Sequence, residues 1–258
     1  MIDVKRMLLR FLKVVVAIEL IYIVIVNLLL QVGLTQDLVN RIRPDKFQVS
    51  WESAWSWYPF RVHAEGIAVN GQSRSQQWEM HASSASGSIA LLPLVLKRVY
   101  VSAVDATNVD YRQRPRLKPD RDYTNKLAHF PTISGRELVP ADTSPRKKKR
   151  PWRVFLSDLR ASGEHSFWIY NMQGSGSGSA VADLSIETRG GPFSLDVRQI
   201  DLNLGPAYVN TDAQLFGGGD LLGQLGFTPF VPRENRGLKM LPFLYLDADL
   251  DLALESLS

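Results

Sequence analysis

The side chains able to do chemistry are few and dispersed. The four histidines, His63, His81, His129 and His165, fall in separate segments with no ligand spacing. There is no HExxH, no GxSxG and no glycine-rich loop followed by Lys and Ser/Thr. The run from Gly174 to Ser179, GSGSGS, has glycines at alternate positions but no helical pattern or lysine after it, so it reads as a hairpin or small-residue strand. Asp247, Asp249 and Asp251 have the opening spacing of a calcium loop. The next position is Leu252 where such a loop needs glycine, and Ser258 stands where it needs glutamate. With no cysteine there is neither a disulfide framework nor a thiolate metal site. Nothing here specifies an enzyme, a metal or a cofactor.

Two charged features do suggest partners. Arg146, Lys147, Lys148, Lys149 and Arg150 form a basic run in a chain of net charge +4. Such a run is either a solvated loop or a contact for phosphate-bearing lipid head groups. The second feature is Glu19, an ionisable group inside an otherwise apolar run, where insertion costs about 2.5–3.5 kcal/mol at mid-bilayer. Asn27 shares its face at helical spacing. The pair reads either as a snorkelling carboxylate with a tolerated amide, or as a polar stripe that meets another membrane helix.

The element that carries Glu19 is a membrane anchor. Val14 to Leu30 reads VVVAIELIYIVIVNLLL, and flanking apolar residues extend it toward the ~20 residues that cross a bilayer core. Lys5, Arg6, Arg10 and Lys13 precede it closely, whereas Arg41, Arg43 and Lys46 follow only after a gap. The dense positive side should stay cytoplasmic and send the rest across. No small-x-small site follows, so an uncleaved signal anchor is expected. The divisions are a cytoplasmic N-terminus at 1–13, an anchor at 14–34, a β-rich part at 35–112, a basic Pro-rich loop at 113–151 and a second β-rich part at 152–258. The implied location is a bacterial inner membrane with the C-terminal domain in the periplasm, where nucleic acid is not a partner.

After a short amphipathic stretch from Thr35, a plausible N-cap, to Ile42, the apolar period changes to two. Phe47, Val49 and Trp51 alternate with polar neighbours, and so do Val99, Val101 and Ala103 and many later runs. Asn70-Gly71 reads as a hairpin turn. Phe193, Leu195 and Val197 are odd-numbered while Ile200, Leu202 and Leu204 are even-numbered, so a β-bulge is expected near Arg198-Gln199. In the last run Leu244, Leu246, Ala248, Leu250, Leu252 and Leu254 alternate with Tyr245, Asp247, Asp249 and Asp251. One face is oily and the other acidic. About twelve strands and no second long helix predict a mainly β, largely antiparallel fold. Arg112 to Pro151 breaks the alternation and reads as a surface loop.

An anchor followed by FQVSWESAWSWYPFRVHAEGIAVNG and then SGSIALLPLVLKRVYVSAVDATNVDYR resembles the N-terminal module of the AsmA-like and TamB-like envelope proteins. The resemblance covers about residues 1–112 and extends beyond only as alternation. It implies a bridge-like lipid-transfer architecture: a strongly bent sheet (β-taco-like) whose concave apolar face holds acyl chains, in a family tied to outer-membrane biogenesis. The groove candidates are then Leu246, Ala248, Leu250, Leu252 and Leu254, with membrane lipids as cargo, no cofactor, and other envelope proteins as further partners. Twelve strands give a groove of roughly 60 Å at most, short for a bridge between membranes. The alternative is a structural or assembly factor with a closed β core and no cargo, whose anchor recruits partners through Glu19 and Asn27. Alternation alone leaves both open, because a packed core and an oily groove write the same pattern.

Overall fold

The computed structural model describes residues 4–42, 44, 46–73, 75–90, 92–118, 121–123, 127–133, 135–136 and 150–253. Arg146, Lys147, Lys148, Lys149 and Leu254 lie outside them. Helix α1 (Val4–Gln31) contains one stretch, Met7–Gln31, with a mean hydropathy of 2.5, long and apolar enough to cross a membrane. It ends at Gly33, whose φ of +73° is a left-handed stop that glycine adopts without a Cβ clash. Helix α2 (Leu34–Ile42) starts directly after it. Thr35 is therefore inside the first turn and not the N-cap; its hydroxyl donates to the Leu29 carbonyl at 3.3 Å.

Eleven strands follow among the described residues: β1 (Phe47–Ser50), β2 (Ser53–Tyr58), β3 (Arg61–Gln72), β4 (Gln76–Ala90), β5 (Arg98–Pro115), β6 (Arg153–Ile169), β7 (Met172–Glu187), β8 (Phe193–Val209), β9 (Ala213–Phe216), β10 (Gly218–Phe227) and β11 (Leu244–Ala253). They form one sheet in the order β1-β3-β4-β5-β6-β7-β8-β10-β11, with β2 also on β3 and β9 also on β8. Every pairing is antiparallel except β5 with β6, which is parallel. The sheet does not close, since β1 and β11 are not paired with each other.

Two local expectations change, and one left open between hairpin and strand is resolved. Asn70-Gly71 is not a turn but part of β3, opposite Glu79 and Trp78. Glycine is needed there because the Trp78 indole lies where a Cβ would stand. The GSGSGS run is strand, inside β7. The segment after Tyr111 is not loop throughout. β5 continues to Pro115, and Ile133 and Arg136 are each only 1% exposed. Arg136 donates from Nε to Asn70 Oδ1 at 2.8 Å and from Nη1 to the Pro44 carbonyl at 3.0 Å, while Arg114 donates to the Arg136 carbonyl at 3.0 Å. Burial lowers the Arg114 guanidinium from its ordinary value, opposed by the nearby Glu79 carboxylate. The bulge expected near Arg198 is present: β7 pairs Val181 with Gln199 and then Ala182 with Val197, which leaves Arg198 as the extra residue.

The edge formed by β1 and β2 is closed by side-chain amides from the two helices. Asn27 accepts from the Ser56 backbone N–H at 2.8 Å and donates to its carbonyl at 2.9 Å. Asn40 does the same to Val49, at 2.8 Å in both directions, and Gln36 donates to the Trp51 carbonyl at 3.0 Å. A primary amide carries the same donor and acceptor as a peptide unit, so each one stands in for a missing strand. An exposed row of backbone groups is thereby blunted.

Two substitutions test these anchors. Asn27→Leu keeps α1 apolar but strands the Ser56 N–H and carbonyl; we expect a loss of about 1–3 kcal/mol and faster hydrogen exchange at Ser56. Exchange at Ser56 unchanged from the parent would contradict the docking. Ile133→Ala should lower stability by about 2–5 kcal/mol in denaturant unfolding, as for a buried aliphatic side chain. A change no larger than that of a surface residue would show that 127–136 is not part of the packed structure.

Candidate functional site

Paired residues on neighbouring strands point to the same side of a sheet, so each face can be read across the strands. One row runs Ala54, Ala64, Ala85, Ala106, Ala161, Ala180, Ile200, Gly223, Ala248, from β2 to β11. The next row on that face runs Val104, Leu159, Ala182, Val197, Leu225, Leu246. Beyond it lie Ile89, Val101, Leu156, Leu184 and Leu195. On the other side of the alanine row, Gly163, Gly178, Leu202, Leu221 and Leu250 are in register. None of these residues carries a charge or a polar side chain.

The opposite face is different in kind. Its row beside the alanines reads Glu65, Ser84, Thr107, Ser162, Ser179, Asp201, Leu222, Asp249. Ion pairs such as Arg112–Asp110 at 2.7 Å and Arg198–Asp183 at 3.3 Å lie on this side. Tyr245 points there too, donating its hydroxyl to Asp196, and that bond raises the phenol from its ordinary value.

Among the described residues the apolar face has no second layer. The buried apolar residues among those described are Leu30, Ala54, Ala82, Ile133, Ala207 and Phe230. They are scattered, and two-layer packing would instead bury the centre of each row. Leu246 is 64% exposed and Leu250 50%. Leu252 is partly exposed and Ala248 exposed, so the described members of the β11 set stand together on one uncovered face.

Polar groups reach this face at few places. His165 pairs with Gly176 and so lies on it; its Nδ1 accepts from the Val109 N–H at 3.2 Å, which puts the ring proton on Nε2, buried without a partner. The imidazole fills the irregularity where β5 slips against β6 between Thr107 and Asp110. Tyr111 donates to Gln113 at 2.6 Å, and burial raises its phenol. Among the described residues no three His, Asp or Glu side chains gather as they would around a metal ion.

The other site candidates are placed as follows. Glu19 and Asn27 lie on the face of α1 that turns toward β2, with Tyr22 between them bonding to Ser56 Oγ at 3.0 Å. The Asn27 amide is taken up within the chain. Arg150 is exposed beside Trp152, at the start of β6. Sequence reading missed the alanine row, because alanine scores neither as a strand former nor as an oily side chain. Its signal is only the recurrence of Ala at matched positions in successive strands.

Comparison with models of known protein families returns no match, and comparison with characterised proteins returns none either.

An uncovered face makes a definite prediction. Ala161→Leu sits mid-row; if nothing packs on it, thermal unfolding should change by under about 1 kcal/mol. Overpacking of a filled core would cost about 1–3 kcal/mol, and a loss of that size would mean that the face is covered.

Proposed function

We propose that this is a membrane-anchored envelope protein that handles phospholipid, holding acyl chains against the apolar face while head groups remain in water. The observation that carries the reading is the register: rows of aliphatic and small side chains continue across the sheet with no layer of the described residues over them. A face of that extent in water is unfavourable at roughly 25 cal/mol per Å². Apolar cargo removes that penalty without any cofactor or reaction. The closed-core alternative, a structural assembly factor, would bury Leu246 and Leu250, which are exposed.

In this reading the basic N-terminal residues stay in the cytoplasm, α1 spans the inner membrane and the sheet stands in the periplasm, in service of outer-membrane biogenesis or maintenance. The likeness to the AsmA-like and TamB-like proteins in the N-terminal half supports that placement. The mechanism is passive: small residues along the alanine row leave room for chains to lie across the strands, and flanking leucines give them apolar walls.

Leu250→Asp places a carboxylate among the chains. It should lower co-purifying phospholipid severalfold and leave the unfolding midpoint nearly unchanged, because on an uncovered face the carboxylate reaches water. Asp249→Leu, on the polar face, should alter neither. Mass spectrometry of lipid extracted from the purified parent protein decides the matter: a lipid-free parent, or a Leu250→Asp variant that unfolds, removes the cargo reading.

A further inference from the structure

The two ends of the strands differ. At the end where β2 turns into β3, β6 begins and β10 passes to β11, the connections carry exposed apolar side chains. Trp57, Tyr58 and Phe60 form the β2–β3 tip. A 3-10 turn at Leu92–Leu96 exposes Leu92 at 88% and Val95 at 84%. A second, at Gly237–Phe243, exposes Leu238 at 83%. The registers Arg61 with Ser88, Arg98 with Arg153 and Phe227 with Leu244 put these segments at one end. The connections at the far end, around Ser73 and Ser75 and Asn210 to Asp212, are polar, and the turn at Asn171 has only the half-exposed Ile169 and Met172 beside it, at 36% and 45%.

Helix α1 leaves the sheet from the apolar end. The Tyr22 hydroxyl meets the Tyr58 carbonyl at 3.3 Å and the Phe60 N–H at 3.2 Å, while Asn27 and Leu30 reach Ser56 and Trp51, further from the tip. Met7 to Ile18 are exposed and stand clear of the sheet. The apolar stretch starts at Met7, so Met7 to Ile21 precede the first contact, about 22 Å of helix at ~1.5 Å per residue. A hydrocarbon core of ~30 Å is not crossed by that length. The docked stretch up to Leu30 must also lie within the bilayer, and it carries the tip of β2 with it.

We propose that this end of the sheet is a membrane-inserting rim. The β2–β3 tip and the two 3-10 turns enter the leaflet through which α1 exits, by about 8 Å, the part of a ~30 Å core that the free helix does not span, and basic residues beside them hold lipid phosphates. Lys97 and Arg98 follow the first turn, and Arg236 and Lys239 flank the second. Of the acids at this end, Glu187 is paired with Arg153 at 2.9 Å, and the exposed Glu234 is outnumbered in its connection by Arg233, Arg236 and Lys239. Apolar tips with Trp and Tyr beside a cationic collar match the depth profile of an anionic bilayer interface. The consequence for the apolar face is direct: its Ile89 to Leu195 row begins beside the rim, so chains pass between leaflet and sheet without crossing water. The rim rests on α1 as a membrane span but not on lipid cargo.

The full chain has no native cysteine, so single-cysteine variants Val95→Cys and Leu238→Cys, with Ser75→Cys and Asp212→Cys at the far end, can carry an environment-sensitive fluorophore. They are reconstituted in vesicles of phosphatidylcholine and phosphatidylglycerol containing doxyl-labelled lipid. We expect blue-shifted emission and quenching by the doxyl lipid at positions 95 and 238, neither at 75 and 212, and weaker quenching when phosphatidylglycerol is omitted. Equal emission and quenching at all four positions would overturn the rim. So would shielding from water at 95 and 238 without doxyl quenching, which means a protein partner on the tips. Doxyl quenching at 95 and 238 in a protein from which no sheet-bound lipid is extracted would sustain the rim and remove the cargo reading, so the two fail separately.

Discussion

A single sheet keeps one face oily across many strands only if side-chain parity is preserved, because a one-residue slip turns every side chain over. That constraint governs the whole molecule, and β-bulges enforce it. Ala103, Asn108 and Asp158 have φ of +50°, +52° and +52° at slips between adjacent strands, and Arg198 is the extra residue in β8. Each lets an apolar run change between odd and even numbering while staying on the same face. Two bulges are tied together on the polar side, where Arg198 reaches Asp158 and Asp183, both at 3.3 Å. Bulges also bend their strands and increase the local twist, so the residues that hold parity also curve the sheet.

The borders of the sheet follow from the same economy of layers. With no opposing sheet, the β1/β2 edge is met by the helices, and Asn27, Gln36 and Asn40 supply the amide groups that a strand would have supplied. These same residues fix where the anchor meets the sheet. The polar face is covered near its far end by 127–136, where Phe130 packs on Trp168 with ring centroids 5.5 Å apart and Arg114 lies over the Phe130 ring. The long excursion between β5 and β6 is thus what makes a parallel pair possible, since β6 must return to the anchor end before it starts.

Strand topology changes the scale expected for lipid handling. β2 and β9 pair alongside longer strands and do not extend the sheet, which leaves nine strands on the hydrogen-bonded path. At ~4.8 Å per strand that is about 38 Å from one edge to the other, smaller than the sequence reading implied. An acyl chain fits within that width. The proposal therefore concerns transfer onto and off a short apolar surface beside the anchor.

The sequence by itself determined the long apolar N-terminal helix, the β class, the acidic and oily faces of the last strand and the bulge at Arg198, because each is written in the local period of side chains. It misread Asn70-Gly71, since a turn dipeptide and a glycine cleared for the Trp78 ring are identical until β4 is in place. It also assigned Ile133 and Arg136 to open loop, since Arg136 is held by Asn70 and Pro44, far away in the chain. Only the tertiary structure decided that the oily face is uncovered and that its rows match across strands. Period-two alternation records which side chains share a face and carries no information on what, if anything, lies opposite.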